Sequence, residues 1–80
     1  MATVIFPGEL QQFTGEAQTQ VAASRYSDMV LELEARYPQL VPGTLAKMAV
    51  AIDDVIVAQP MLEPLYPDTE VFFLHFVAGG

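Results

Sequence analysis

The sequence predicts an α+β roll in which one main helix covers one face of a four- to five-stranded mixed sheet. Two patterns indicate this fold class: one segment has apolar residues at helical spacing, and short β-branched or aromatic runs lie on either side of it, separated by Pro and Gly. Length adds a third observation, because 80 residues can form one domain with a single core. We expect that domain to span residues 1–80, with a flexible tail at residues 77–80.

The first half of the chain predicts two strands. β-branched and aromatic residues indicate an opening strand over residues 2–6, which Pro7-Gly8 ends. Gly15 marks a turn, and residues 18–22 form a weaker strand that can pair back onto the first.

The helix is the best-defined element. Apolar residues recur at i, i+3, i+4, i+7 and i+11, which is one face of a helix: Tyr26, Met29, Val30, Leu33 and Tyr37. Glu32 and Arg36 have the favourable i, i+4 order of an ion pair. Ser24 or Ser27 can cap the start of the helix, and Pro38 ends it.

Three further strands are predicted in the second half. Residues 48–52 and 55–57 form a hairpin whose turn is Asp53-Asp54. Prolines confine residues 58–69 to turns and irregular chain. Residues 70–77 are nearly all apolar, as in a strand at the middle of a sheet, and we expect this strand to lie beside the first.

Composition and charge exclude several classes of function. The formal net charge is −7, from three basic and ten acidic residues, which repels nucleic-acid phosphates and anionic membrane surfaces. Cysteine is absent, which excludes disulfides, thiolate metal sites and a cysteine nucleophile. The start of the sequence lacks a secretory signal and no apolar run approaches the ~20 residues of a membrane span. We therefore expect a cytoplasmic protein with no nucleic-acid or membrane partner.

Side chains suited to catalysis are few. Asp53 and Asp54 form the one adjacent carboxylate pair, and a turn explains them better than an acid–base site. No spacing of metal ligands or Gly-rich phosphate loop occurs, so we expect no metal and no bound cofactor. The single histidine, His75, is either a partly buried hydrogen-bonded side chain or a contact to a partner.

The end of the sequence carries the most informative motif. Gly79 and Gly80 form a thin segment without Cβ atoms, which can enter a narrow channel. A terminal carboxylate on Gly80 can be activated as an acyl-adenylate and attacked by an external nucleophile. A frayed chain end is the alternative interpretation.

The order of strands and helix, together with Val71-Phe72-Phe73-Leu74 and Val77-Ala78-Gly79-Gly80, resembles the ubiquitin-like β-grasp sulfur carriers. The resemblance covers the whole chain and is greatest to the small subunit of molybdopterin synthase, molybdopterin-converting factor subunit 1, and to the carriers for thiamine and cysteine. Residues 6–15 resemble the first hairpin of that family, and residues 28–38 resemble its helix, which ends in Tyr-Pro.

The resemblance implies a sulfur-donating subunit that is not catalytic alone. A ubiquitin-activating-like adenylyltransferase would use ATP to adenylate Gly80, and a persulfide sulfur donor would convert the adenylate to a thiocarboxylate. The sulfur would then pass to the large synthase subunit or to another sulfur-acceptor enzyme. Val77, Ala78 and Gly79 would insert into that acceptor.

The resemblance favours molybdenum cofactor biosynthesis and leaves other functions open. The chain could carry sulfur for cysteine, thiamine or another metabolite, or act as a ubiquitin-like modifier that forms isopeptide bonds. An interaction module with an inert tail is a further alternative. His75 and Phe76 stand where many relatives have proline or small residues, and Pro7 with Thr14-Gly15 is similar to the cysteine-forming carriers.

Strand alternation predicts where partners dock. If Val71 and Phe73 face the helix, the side chains between them face the opposite side of the sheet. An exposed apolar face of this kind marks an interaction site. The expected partner contacts are Phe72, Leu74, Phe76 and His75, and an acidic rim is expected from Glu70, Asp53 and Asp54.

Overall fold

The computed structural model describes residues 1–74. These residues form a five-stranded mixed sheet with two α-helices. The strands are β1 (Ala2–Ile5), β2 (Gln18–Val21), β3 (Ala49–Ile52), β4 (Val55–Val57) and β5 (Glu70–Leu74). The helices are α1 (Gly8–Thr14) and α2 (Tyr26–Arg36), and Leu45–Lys47 form one turn of 3-10 helix. None of the helices in this part of the chain is long and apolar enough to cross a membrane.

The first and last strands are neighbours at the centre of the sheet, as predicted. The strand order is β2-β1-β5-β3-β4. β1 and β5 run parallel with Val4 opposite Val71, and β5 pairs antiparallel with β3, with Phe73 opposite Val50. β5 thus has a partner on each side, as expected for a strand in which four of five residues are apolar.

The core lies between the sheet and α2. Met29 and Leu33 of α2 are fully buried, as are Val71 and Phe73 of β5, and all four belong to one apolar cluster. The helical spacing that predicted α2 therefore corresponds to its buried face. Burial of each side chain of this size contributes roughly 1.5–3 kcal/mol relative to exposure.

At the start of α2, backbone carbonyls rather than a serine side chain accept hydrogen bonds from the free N–H groups. Arg25 is the N-cap residue and makes no side-chain cap. The N–H of Tyr26 donates to the carbonyl of Glu63 at 3.0 Å, and the N–H of Ser27 donates to the carbonyl of Met61 at 3.1 Å. The predicted caps, Ser24 or Ser27, are therefore wrong, because the irregular chain after β4 folds over this helix end and supplies the acceptors.

The predicted Glu32–Arg36 pair forms and also joins α2 to the chain that follows β2. Nη2 of Arg36 lies 2.6 Å from Oε2 of Glu32. The Glu32 carboxylate accepts hydrogen bonds from the N–H groups of Ala22 and Ala23, each at 3.0 Å. Arg36 donates to the carbonyl of Gln20 at 2.7 Å. These bonds fix the orientation of α2 relative to the edge strand.

A short helix, α1, connects β1 to β2 within residues 6–15, which resemble the first hairpin of the family. Leu10 of α1 is buried, and Gly15 ends the helix with a φ of 72°, in the left-handed region that favours glycine. β1 and β2 do pair antiparallel, but their connection is helical. The expected pairing of the first two strands is therefore confirmed, but the helix in their connection was not predicted, because seven residues are too few to show a helical repeat in the sequence.

The β3–β4 hairpin has the predicted two-residue turn. Asp53 and Asp54 both have positive φ, at 49° and 69°, as in a type I′ turn. Ile52 pairs with Val55 on either side of them. The adjacent carboxylates therefore belong to a turn, as the sequence indicated.

Burial of Tyr26 predicts a stability change at alkaline pH. Burial raises the pKa of this phenol to about 12 from 10.0. The folded state therefore keeps a proton that the unfolded chain loses, so the free energy of unfolding falls as the pH rises from 10.0 to about 12. Tyr26→Phe should lessen this fall, measured by urea unfolding across that range.

Tyr66→Phe is the control substitution for this experiment, because the Tyr66 side chain is 59% exposed. Burial also raises the pKa of Tyr37, so part of the pH dependence should remain in the Tyr26 variant. If the Tyr26 and Tyr66 variants lose stability equally steeply above pH 10, the assignment to Tyr26 is wrong.

Candidate functional site

β5 presents alternate side chains to the core and to the opposite face of the sheet. Val71 and Phe73 are 0% exposed, whereas Phe72 is 39% exposed. Leu74 is half-buried, so it is less accessible than an open strand position would be. The predicted assignment of the two faces is confirmed, and the docking role of Phe72 and Leu74 stays a prediction.

One row of apolar side chains crosses four strands on the face away from α2. The sheet register aligns Ile5 of β1 with Phe72 of β5, Phe72 with Ala51 of β3, and Ala51 with Ile56 of β4. Aligned residues of neighbouring strands project to the same face, so these side chains lie side by side. Ile56 is 68% exposed, whereas the small Ala51 between Phe72 and Ile56 is 9% exposed. Together with Leu74, these residues form the open-face patch.

The open-face patch lies at the end of β5 from which the chain continues towards residue 80. Leu74 pairs with Ala49 there and is the last residue of the strand. The remaining predicted site residues follow it and lie outside the described residues: His75, Phe76, Val77, Ala78, Gly79 and Gly80. The structure therefore describes the surface beside the terminal motif.

The opposite end of β5 is polar and acidic. Glu70 aligns with Thr3 of β1, which aligns with Gln20 of β2. The N–H of Glu70 donates to Oδ1 of Asp53 at 2.9 Å, and the N–H of Asp53 donates to the carbonyl of Glu70 at the same distance. Asp53 thus joins the β3–β4 turn to β5. At the usual rise per residue this end lies roughly 13 Å from Leu74, so the expected acidic rim borders one end of the face.

Three residues of the open-face patch were not identified as site residues from the sequence: Ile5, Ala51 and Ile56. The sequence could have indicated that Ala51 and Ile56 lie side by side, because a two-residue turn at Asp53-Asp54 places them opposite each other. Ile5 had no such signal. Its position depends on the register between β1 and β5, in which Ile5 aligns with Phe72, 67 residues later in the chain.

On the other side of the sheet from the open-face patch, core side chains pack against α2. The ring of Phe73 packs against that of Tyr26 with 6.4 Å between centroids. Within residues 1–74, no group of three or more His, Asp or Glu side chains could hold a metal ion. What the described face offers chemically is an apolar contact surface on a well-packed sheet.

Comparison with known proteins identifies relatives of the chain. A family model described as "ThiS family" matches residues 4–80. None of the curated protein sequences compared with the chain matches it.

Solved structures with the same fold come from bacteria and archaea. A chain in the crystal structure of the Amycolatopsis orientalis BexX/CysO complex has a TM-score of 0.78 and 21% identity, with 100% of both chains covered. The solution structure of small archaeal modifier protein 1 from Methanosarcina acetivorans has a TM-score of 0.79 and 18% identity, covering 99% of this chain and 95% of that one. The Haloferax volcanii SAMP1 crystal structure has a TM-score of 0.66 and 15% identity, covering 99% and 98%. At these identities the likeness concerns the fold, and it confirms the predicted α+β β-grasp class.

Opposite burial of two adjacent phenylalanines predicts opposite effects on stability. Phe73→Ala should lower the free energy of unfolding by about 3–5 kcal/mol, because it leaves a cavity in the core. Phe72→Ala should lower it by about 1 kcal/mol or less, since that ring is partly exposed on the open face. Urea unfolding of the two variants beside the parent chain measures both effects, and equal losses would show that the faces of β5 are not distinct.

Proposed function

The chain belongs to the ThiS family, and we propose that it is a sulfur carrier whose Gly80 carboxylate is adenylated and then converted to a thiocarboxylate. The observation that carries this proposal is the family match over residues 4–80, which includes Gly79-Gly80. Composition supports it as well. The chain has no cysteine, so no side chain can hold transferable sulfur, and the activated terminus is the group that remains.

The proposed cycle needs an activating enzyme, because a carboxylate is a poor electrophile. A carboxylate oxygen of Gly80 attacks the α-phosphate of ATP and pyrophosphate leaves. A persulfide sulfur on the donor protein then attacks the acyl carbon and AMP leaves. A thiol then attacks the donor sulfur of the resulting acyl disulfide, forms a disulfide with it and releases the thiocarboxylate. In this scheme the activating enzyme, and not this chain, binds ATP. We propose that the cycle takes place in the cytoplasm.

We propose that the open-face patch docks the activating enzyme and the sulfur acceptor. The side chains of Phe72 and Ile56 are apolar and substantially exposed. Phe72 lies on the same face of β5 as Leu74, the residue that leads to the terminal motif, and Ile56 aligns with Phe72 through Ala51. A partner on this face would therefore receive the terminus at a defined distance. His75 and Phe76 would extend the same contact. An exposed apolar patch with a firm core beneath it is typical of such interfaces.

For the acceptor we propose the large subunit of molybdopterin synthase, with Val77, Ala78 and Gly79 inserted into it. The motif resemblance supports this assignment, and carriers for cysteine, thiamine or another metabolite are the alternatives. The BexX/CysO chain of similar fold was crystallised as part of a complex, which supports a cycle that runs through partner proteins.

A protein modifier is the second candidate function. Two of the solved structures with this fold are small archaeal modifier proteins. Both functions begin with the same acyl-adenylate on Gly80. They differ in the second nucleophile, which is a persulfide sulfur in one case and a lysine amine of another protein in the other.

The carrier function predicts a labelled terminus. After incubation with ATP, an activating adenylyltransferase and a persulfide donor, thiol alkylation should label Gly80. The label is specific because the chain has no cysteine. Cleavage after Lys47 releases residues 48–80 for mass spectrometry. Alkylation is needed because exchange of oxygen for sulfur adds nearly the same mass as oxidation of Met48 or Met61.

A variant with one residue added after Gly80 is the control, and it should fold normally and take no label. A known carrier must be labelled by the same enzymes. If that carrier is labelled and this chain is not, the sulfur-carrier proposal is wrong. Attachment of Gly80 to lysines of other proteins, without sulfur transfer, would favour the modifier.

The docking role predicts a binding defect that leaves the fold intact. Phe72→Asp and Ile56→Asp should each raise the KM of the activating enzyme for this chain by about tenfold or more, because a charge enters an apolar contact. Val41→Asp is the matched control, since Val41 is 59% exposed and lies outside the patch. Pyrophosphate exchange measures the effect, and an equal KM for all three variants would contradict docking on this face.

A further inference from the structure

The helix side of the sheet has an uncovered edge at β4. Two of the three residues of β4 are exposed, one is half-buried and none is buried. Val55 projects to the helix side with Ile52 and is 63% exposed. An apolar groove of about 580 Å³ lies along this edge. Its lining includes Tyr26, Leu45, Met48, Val50, Val57 and Met61.

The backbone of β4 is open beside this groove. Among the described strands, β4 pairs with β3 and has no second neighbour. Ile52 and Val55 close the two-residue turn, so they form a hydrogen-bonded pair. The alternation of an antiparallel ladder then turns the N–H and C=O of Ile56 away from β3. These groups point to where an added strand would lie.

The groove also differs in charge from the rest of this acidic chain. The sequence has ten acidic and three basic residues, yet the described residues that line the groove include no carboxylate and one cation, Lys47. Lys47 is exposed at the end of the 3-10 helix. A segment with a carboxylate would be repelled by most of this surface and attracted here.

We propose that this groove binds an extended segment of a partner protein that adds as a strand to β4, places an apolar side chain in the groove and pairs an acidic side chain with Lys47. Main-chain bonds to Ile56 would supply affinity, and the groove and Lys47 would supply specificity. Met48 and Met61 can adapt to different apolar side chains. The described residues that line the groove lie on the helix side of the sheet and at its β4 edge, where they include Ile56 of the open-face patch. The proposed binding requires no sulfur transfer.

A short peptide tests the proposal on the full chain. The probe is the acetylated and amidated peptide Ser-Val-Ser-Ile-Ser-Glu, titrated into labelled protein and followed by amide NMR signals. We expect shifts at Ile56, Val57 and Met61, and slower exchange of the Ile56 amide proton. The same peptide with Lys in place of Glu should bind about threefold to fivefold more weakly, as for an exposed ion pair.

Matched variants separate the groove from general surface effects. Met61→Asp should weaken binding by about tenfold or more, whereas Leu62→Asp, which changes a neighbouring exposed residue outside the lining, should not. Lys47→Glu should abolish the preference for the Glu peptide over the Lys peptide. Arg25→Glu makes the same change of charge outside the groove and should retain the preference.

Four results would overturn the proposal. One is shifts that map to Phe72 and Leu74 instead of the groove. The second is equal binding by the Met61 and Leu62 variants, and the third is no shifts at any attainable peptide concentration. The fourth is groove shifts that grow with protein concentration in the absence of peptide, which would identify a second copy of the chain as the occupant.

Discussion

The parallel pairing of β1 with β5 is the contact on which the rest of the fold depends. Val4 and Val71 lie opposite each other in this pair and both are fully buried beneath α2. β5 pairs with β3 on its other side, so its position also fixes the β3–β4 hairpin. A shift of one residue in β5 would bring Phe72 into the core in place of Phe73 and take the open-face patch apart.

A single strand therefore serves stability and recognition at alternate positions. Val71 and Phe73 are buried in the core, while Phe72 and Leu74 lie on the other face with side chains from three more strands. The two roles can change independently, because a substitution on one face leaves the packing of the other largely intact. Charged side chains take part in stability and are absent from the recognition surface. Glu32 and Asp53 join elements of the fold by accepting hydrogen bonds from backbone N–H groups, and the open-face patch has no charged member.

The sequence predicted the elements whose pattern is local. The repeat of α2 spans eleven residues, and the turn at Asp53-Asp54 has its own chemistry, so both were predictable. Alternation along β5 likewise assigned Phe72 to the open face. α1 and the cap of α2 were missed for physical reasons: α1 is too short to show a period, and the carbonyl of Glu63 reaches the N–H of Tyr26 through the tertiary fold. Ile5 belongs to the patch through the same kind of long-range pairing.

The arrangement of β1 and β5 also has a mechanical consequence. The two strands run parallel, and the chain enters the sheet at the start of β1 and leaves it at the end of β5. A pulling force between those points would load the hydrogen bonds of the β1–β5 pair in shear, so they would have to break together rather than one after another. A partner could therefore grip the chain beyond Leu74 and pull on it while the sheet resists extension. If the terminus enters a channel of a partner, as proposed, the β1–β5 pair would resist unfolding while the terminus is withdrawn.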